Sequence, residues 1–216
     1  MIKKKGMRSV GEFIINGDAG CPTLVLAHGA GAGMESDFMN YVATELAQKG
    51  LRVIRFNFLY MQQQLLTGTR RPPDRAPKLL AHYSDVLDRL ALPSPYFIGG
   101  KSMGGRMATV LATQHAVAGV VVFGYPFHAL GKPEKVRVDH FPELKSPVLV
   151  CQGERDTMGN VNDVAQYRLA ENMSIEWYAD GDHDLKPRKS SGLSHEQHLQ
   201  AAVTRVSQFI HETTAS

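Results

Sequence analysis

The sequence predicts a three-layer α/β fold, in which a mostly parallel sheet of about seven strands carries helices on both faces. Short apolar runs rich in β-branched residues alternate along the chain with longer segments of helical period. Most of these runs are continuously apolar, as expected for strands buried on both faces. The 216 residues, 43% of them hydrophobic and 21% charged, suit one globular domain over residues 1–216.

Seven runs have the length and composition of strands. In chain order, the predicted strands span residues 12–15, 23–27, 51–56, 96–99, 119–123, 147–152 and 175–178. Apolar residues with helical spacing predict five helices between and after them. These helices cover about 38–46, 79–90, 103–114, 161–171 and 194–211.

Two segments interrupt the alternation, residues 57–77 and 125–144. Connections of this length are uncommon unless they serve a function, so we expect both to help form a pocket. The first segment contains Arg70 and Arg71, whose guanidinium groups suit a carboxylate or phosphate. Arg70 and Arg71 are therefore candidate substrate contacts, and the alternative is a solvated loop stiffened by its prolines.

Charge and cysteine content exclude several classes of protein. The net charge of +3 forms no dense basic stripe, so nucleic acid is not an expected partner. Cys21 and Cys151 are too few and too far apart for a disulfide framework or a zinc site, which favours a cytoplasmic location. Lys3, Lys4 and Lys5 precede no apolar run of signal-peptide length, and no stretch has the length of a membrane span.

The strongest catalytic motif is Gly100-Lys101-Ser102-Met103-Gly104. An apolar strand precedes it and a helical segment follows it, which is the strand, sharp turn and helix of a nucleophile elbow. The flanking glycines allow the strand and the helix to approach closely. Ser102 is therefore the predicted nucleophile.

A serine nucleophile needs a base and an acid that orients the base. Asp156 and His183 each follow a predicted strand, and they come in the order Ser, Asp, His. We prefer this pair, while Glu154 or Asp163 remain alternatives as the acid. His195 or His198 remain alternatives as the base.

The Gly-rich segment from His28 to Gly33 follows the second predicted strand. Backbone N–H groups in such a turn can stabilise a developing oxyanion. We expect the amides of Ala30 and Met103 to form this hole, with His28 as a structural support for the loop.

Motifs for nucleotides and metals are incomplete. Pro95 stands where a phosphate-binding loop needs its first glycine, and Met34 stands where a dinucleotide fingerprint needs its third. Leu185 replaces the glycine of a calcium loop, and His195 and His198 are three positions apart instead of four. We expect no cofactor and no metal.

These motifs together resemble the α/β-hydrolase superfamily over nearly the whole chain, most of all its small dienelactone-hydrolase-like branch. That branch includes bacterial hydrolases and the hydrolase-like domain of a histone-acetyltransferase complex subunit. Dienelactone hydrolases carry cysteine as nucleophile, whereas this chain has Ser102. The resemblance implies an α/β-hydrolase fold and this mechanism, but not that substrate.

The expected activity is hydrolysis of a small carboxylic ester or thioester through a Ser102 acyl-enzyme. About fifty residues separate Ser102 from Asp156 and they already hold a helix and a strand, which leaves no room for a large cap domain. The alternative is a catalytically silent hydrolase scaffold that binds other proteins. The sequence predicts no oligomeric state.

Overall fold

The computed structural model describes residues 12–215 and contains nine strands and six α-helices in that range. The strands are β1 Phe13–Asn16, β2 Thr23–Ala27, β3 Arg52–Phe56, β4 Phe97–Lys101, β5 Gly119–Phe123, β6 His128–Ala129, β7 Lys132–Val136, β8 Val148–Gly153 and β9 Met173–Tyr178. The α-helices are α1 Asp37–Gln48, α2 Leu59–Thr67, α3 Ala76–Leu90, α4 Met103–Leu111, α5 Val161–Val164 and α6 His195–Ala215. Lys3 to Lys5, which entered the signal-peptide prediction, lie outside the described residues.

Seven strands form one sheet in the order β1-β3-β2-β4-β5-β8-β9. Only β1 runs antiparallel to its neighbour, and the other six strands of this sheet pair in parallel. The predicted mostly parallel, seven-stranded sheet is therefore confirmed. The two remaining strands, β6 and β7, form a separate hairpin.

The central strands β2, β4, β5 and β8 are buried throughout, and their alternating side chains point into both faces of the sheet. Within β2, Val25 packs with α3 and α4 on one face, while Leu24 and Leu26 pack with α1 and α6 on the other. All three are fully buried, and burial of such a side chain stabilises the fold by about 1.5–3 kcal/mol. Two hydrophobic cores therefore hold the sheet between helical layers.

Two helical predictions were wrong. The helix expected over 161–171 ends at Val164, and the chain continues in turns from which Tyr167 and Leu169 pack against the core. Within the segment predicted as irregular, α2 forms over Leu59–Thr67 and ends at Gly68, which has a φ of 68°. Only Tyr60 and Met61 of α2 are buried, so its sequence lacks a clear apolar stripe.

The segment after β5 also has more structure than expected, since 125–144 contains the β6–β7 hairpin and a 3₁₀ turn at Phe141–Glu143. Within the described range, no domain-sized cap is inserted between Ser102 and Asp156. None of the helices in this range is long and apolar enough to cross a membrane.

Candidate active site

The candidate site lies at the carboxyl edge of the sheet, where the parallel strands β4, β8 and β9 all end. Ser102 directly follows β4, Asp156 comes three residues after β8, and His183 comes five residues after β9. Ligand and catalytic groups of open α/β sheets collect at this edge, because the connecting loops leave the sheet there.

Ser102 occupies a sharp turn between β4 and α4. Its backbone has φ 50° and ψ −114°, a conformation that costs a non-glycine residue about 1–3 kcal/mol. Its amide donates to Phe123 O at 2.9 Å, which anchors the turn to β5. The turn presents the Ser102 side chain above the sheet.

Glycine is required beside this turn because α4 crosses β2 and β4 at very short distance. A Cβ on Gly104 would lie 2.5 Å from Ala27 O, and one on Gly100 would lie 2.6 Å from the same oxygen. Gly105 faces Val122, whose Cγ1 would be 2.4 Å from an added Cβ. The elbow therefore requires residues without side chains at Gly100, Gly104 and Gly105.

Ser102, His183 and Asp156 form a continuous hydrogen-bonded relay. His183 Nε2 lies 2.7 Å from Ser102 Oγ, and His183 Nδ1 lies 2.7 Å from Asp156 Oδ2. A carboxylate only accepts, so Nδ1 carries the hydrogen and Nε2 is left to accept the Ser102 proton. The arrangement fixes the tautomer that a general base needs.

Asp156 is fully buried, so its charge requires several donors. Gln152 Nε2 donates to Oδ2 at 2.8 Å, and the Met158 amide donates to Oδ1 at 2.8 Å. Gln152 also accepts from the Tyr125 amide at 2.7 Å. These contacts hold the carboxylate toward His183 and restrict its rotation.

The side chains considered as alternative acids and bases make other hydrogen bonds in the structure. Asp163 forms a capping box at the start of α5 with the N-cap residue Asn160. Glu154 accepts a hydrogen bond from the Asp180 amide at 3.0 Å. His198 is buried with Nδ1 2.8 Å from Leu185 O, while His195 Nε2 lies 2.8 Å from Asp184 O. None of these four side chains joins the relay.

Ala30 lies in the loop after β2, and Met103 is the first residue of α4. No backbone carbonyl among residues 12–215 accepts a hydrogen bond from either the Ala30 or the Met103 N–H. Both residues line the cavity beside Ser102. Both residues therefore border the space next to Ser102 without a backbone carbonyl partner for their amides among the described residues.

Buried polar groups hold this loop in place. His28 Nδ1 donates to Gly29 O at 2.7 Å and Nε2 accepts from the Phe58 amide at 3.0 Å. Burial lowers the pKa of His28 to about 4, so the ring is neutral at pH 7. Tyr60 of α2 donates its hydroxyl to Ala30 O at 3.0 Å. These contacts agree with the structural role expected for His28.

Lys101 is a component of the site that the sequence did not reveal. Its buried Nζ donates to the carbonyl of His183 at 2.6 Å and pairs with the Asp184 carboxylate at 3.0 Å. Burial lowers the pKa of Lys101, an effect that Asp184 partly offsets. Lys101 therefore connects the strand that carries Ser102 to the loop that carries His183.

Two cavities meet at Ser102. The arginine cavity, of about 330 Å³, is lined by Ala30, Asp74, Ala76, Leu79, Ser102, Met103, Arg106, Met107, Pro126, Leu130, Arg137 and Met158. The histidine cavity, of about 690 Å³, shares Ala30, Ser102, Leu130 and Met158 with it and is otherwise lined mainly by His183, Lys101, Phe38 and their neighbours.

Arg70 and Arg71, the candidate substrate contacts, line neither cavity. Both are exposed in the chain that follows α2, and the Arg71 amide donates to Gln64 Oε1 of that helix at 2.9 Å. The structure gives this expectation no support. It places Arg106 and Arg137 beside Ser102 instead.

Comparison with known families supports this interpretation of the fold. A family model described as an α/β hydrolase domain matches residues 20–211. The chain belongs to the α/β-hydrolase family. Across residues 12–215, no three His, Cys, Asp or Glu side chains gather as a metal site in this α/β hydrolase.

Solved structures show the same fold over nearly the full length of this α/β hydrolase. Est1E from Butyrivibrio proteoclasticus, solved with ferulic acid bound, is 16% identical with a TM-score of 0.71, and the match covers 94% of this chain and 95% of that one. A putative dienelactone hydrolase from Klebsiella pneumoniae is 21% identical with a TM-score of 0.71, covering 95% of each chain. At these identities the likeness establishes the fold alone.

Proposed function

We propose that this α/β hydrolase is a serine hydrolase that cleaves a small carboxylic ester or thioester through an acyl-enzyme on Ser102. The observation that carries the proposal is the relay of two 2.7 Å hydrogen bonds from Ser102 through His183 to Asp156. The relay lies where two cavities meet, and two free amides lie beside it. Family membership supports the hydrolytic class of reaction.

Acylation begins when Ser102 Oγ attacks the substrate carbonyl carbon and its proton passes to His183 Nε2. The carbonyl oxygen becomes an oxyanion, which the Ala30 and Met103 amides stabilise. Asp156 stabilises the imidazolium that forms without taking its proton. The bond to the leaving alcohol or thiol then breaks, and the leaving atom takes the proton from Nε2.

Deacylation repeats these steps with water. His183 Nε2 takes a proton from water as its oxygen attacks the acyl carbon, and a second oxyanion forms in the same place. The bond to Ser102 Oγ breaks, and Nε2 returns the proton to that oxygen. A carboxylic acid leaves and the free serine is restored.

A fluorophosphonate probe tests the proposed nucleophile. We expect labelling of the wild type and none of Ser102→Ala, with parallel loss of p-nitrophenyl butyrate hydrolysis. Ser84→Ala is a matched control, because Ser84 Oγ also contacts a histidine, at 3.2 Å from His115 Nε2, but lines neither cavity. Folded wild type that is neither labelled nor active would contradict the proposal and favour a silent, protein-binding scaffold.

A further inference from the structure

The arginine cavity holds two positive charges that the mechanism does not use. Arg106 and Arg137 both line it beside Ser102, yet neither guanidinium has a carboxylate within 4.0 Å among residues 12–215. Arg106 Nε is buried without a hydrogen-bond partner. An unpartnered buried donor favours a polar ligand beside it, and both side chains are only partly buried, so a ligand in the cavity can reach them.

The neighbours of the two arginines do not neutralise them. Burial and then the charge of Arg106 lower the pKa of Arg137, and burial lowers the pKa of nearby His140 to about 4, which leaves that ring neutral. Asp74 lines the same cavity, where its Oδ1 pairs with Lys78 at 2.9 Å and its Oδ2 is buried without a hydrogen-bond partner among the described residues. Arg106 and Arg137 therefore contribute two positive charges to this cavity, against the one carboxylate of Asp74, which lies more than 4.0 Å from both guanidinium groups.

The position of His183 assigns this cavity to one part of the substrate. His183 donates its proton to the leaving group, and it lines the histidine cavity but not the arginine cavity. The leaving group must therefore depart through the histidine cavity, and the acyl group must extend into the arginine cavity. Arg106 lies one helical turn from Ser102, since its amide donates to Ser102 O at 2.9 Å.

We infer that the acyl group carries a carboxylate at its far end, so that the substrate is a half ester or half thioester of a short dicarboxylic acid. Arg106 and Arg137 bind this carboxylate, because guanidinium groups form paired, charge-assisted hydrogen bonds with it. The inference rests on the proposed function for the reaction, but the binding site is a separate property of the cavity.

The kinetic test compares p-nitrophenyl hydrogen glutarate with the length-matched neutral ester p-nitrophenyl valerate. A hydrogen bond to a charged group contributes about 1.5–3 kcal/mol, so we expect the wild type to prefer the glutarate by about 10-fold to 100-fold in kcat/KM. Arg137→Gln should lower this preference about 10-fold. In the exposed control Arg168→Gln, which lines neither cavity, the preference should stay at the wild-type value.

A binding measurement separates this inference from the proposed reaction. Free glutarate should raise the melting temperature of Ser102→Ala, valerate should not, and Arg137→Gln in that background should abolish the shift. Equal or greater turnover of valerate by the wild type, or no glutarate-dependent shift, would overturn the inference even if esters are hydrolysed. Binding of glutarate without turnover of either ester would uphold the inference and contradict only the proposed reaction.

Discussion

Replacing Gly104 by alanine tests whether the close approach of α4 to β2 builds the site. The added Cβ would lie 2.5 Å from Ala27 O and 2.6 Å from His28 O. Carbon and oxygen in favourable contact are about 3.3 Å apart, so the Cβ would overlap each carbonyl by about 0.7–0.8 Å. Both obstacles are backbone atoms in or directly after a buried strand, and neither can rotate away as a side chain could.

The helix must therefore shift, and that shift has two measurable costs. Overpacking of this kind costs about 1–3 kcal/mol, and we expect the upper end because two carbonyls are involved. For a chain of this size about 3 kcal/mol lowers the melting temperature by about 6–12 °C. The shift also moves the Met103 amide away from the Ala30 loop, and misplacement by about 1 Å costs about 10²-fold in rate.

Thermal unfolding followed by circular dichroism measures the first effect, and the rate of p-nitrophenyl butyrate hydrolysis at saturating substrate measures the second. Gly20→Ala is the matched control, because an added Cβ there has no heavy atom within 4 Å. It should stabilise the fold slightly, by about 0.4–1 kcal/mol, through the unfolded chain. A Gly104→Ala protein that melts within about 2 °C of wild type and keeps its rate would refute the reasoning.

Three further predictions concern the site and its supports. His183→Ala should lower ester kcat/KM by about 10³-fold or more, and a nearly unchanged rate would make His195 the candidate base. Lys101→Met removes the donor to the His183 carbonyl. It should reduce the free energy of unfolding, measured by urea denaturation, by about 1–3 kcal/mol and slow ester turnover about 10-fold. Unchanged values would contradict this positioning role of Lys101. Burial lowers the pKa of His28 from 6.5 to about 4, so the unfolded chain binds more protons in that range and stability falls as the pH decreases from 6.5 to 4. In His28→Gln the slope of unfolding free energy against pH between 4 and 6 should be smaller by up to about 1.4 kcal/mol per pH unit, and an identical slope would count against a neutral, buried His28.

The sheet and the order of site residues could be predicted because the signals are local. A continuously apolar run is visible without knowledge of its neighbours, and β2 and β5 have the predicted bounds. Ser102 and Asp156 each follow such a run, and His183 follows the alternating strand β9, so their shared edge follows from the parallel pairing. The fold is confirmed on these grounds, while the catalytic roles stay a proposal.

The arginines of the site could not be predicted, because their meeting depends on tertiary packing. Arg106 is on α4 and Arg137 follows the β6–β7 hairpin, 31 positions later in the chain. The Tyr125 hydroxyl donates to Arg137 O at 2.8 Å, and no periodic pattern in the sequence predicts this contact. Arg70 and Arg71 were predicted from their place in a long connection and from the affinity of guanidinium groups for anions, neither of which shows which cavity a side chain faces.

The loops around the site differ in how tightly hydrogen bonds hold them. Buried polar side chains fasten the loops around the relay, as when Arg55 donates to Met34 O at 2.6 Å and Gln152 links Tyr125 to Asp156. Buried groups of this kind are costly to leave unpaired, so changes in these loops threaten both stability and the relay. The β6–β7 hairpin differs, because β7 is largely exposed while exposed Leu130 at its turn borders both cavities. Substitutions at Leu130 can therefore reshape both cavities while leaving in place the hydrogen bonds that join Ser102, His183 and Asp156.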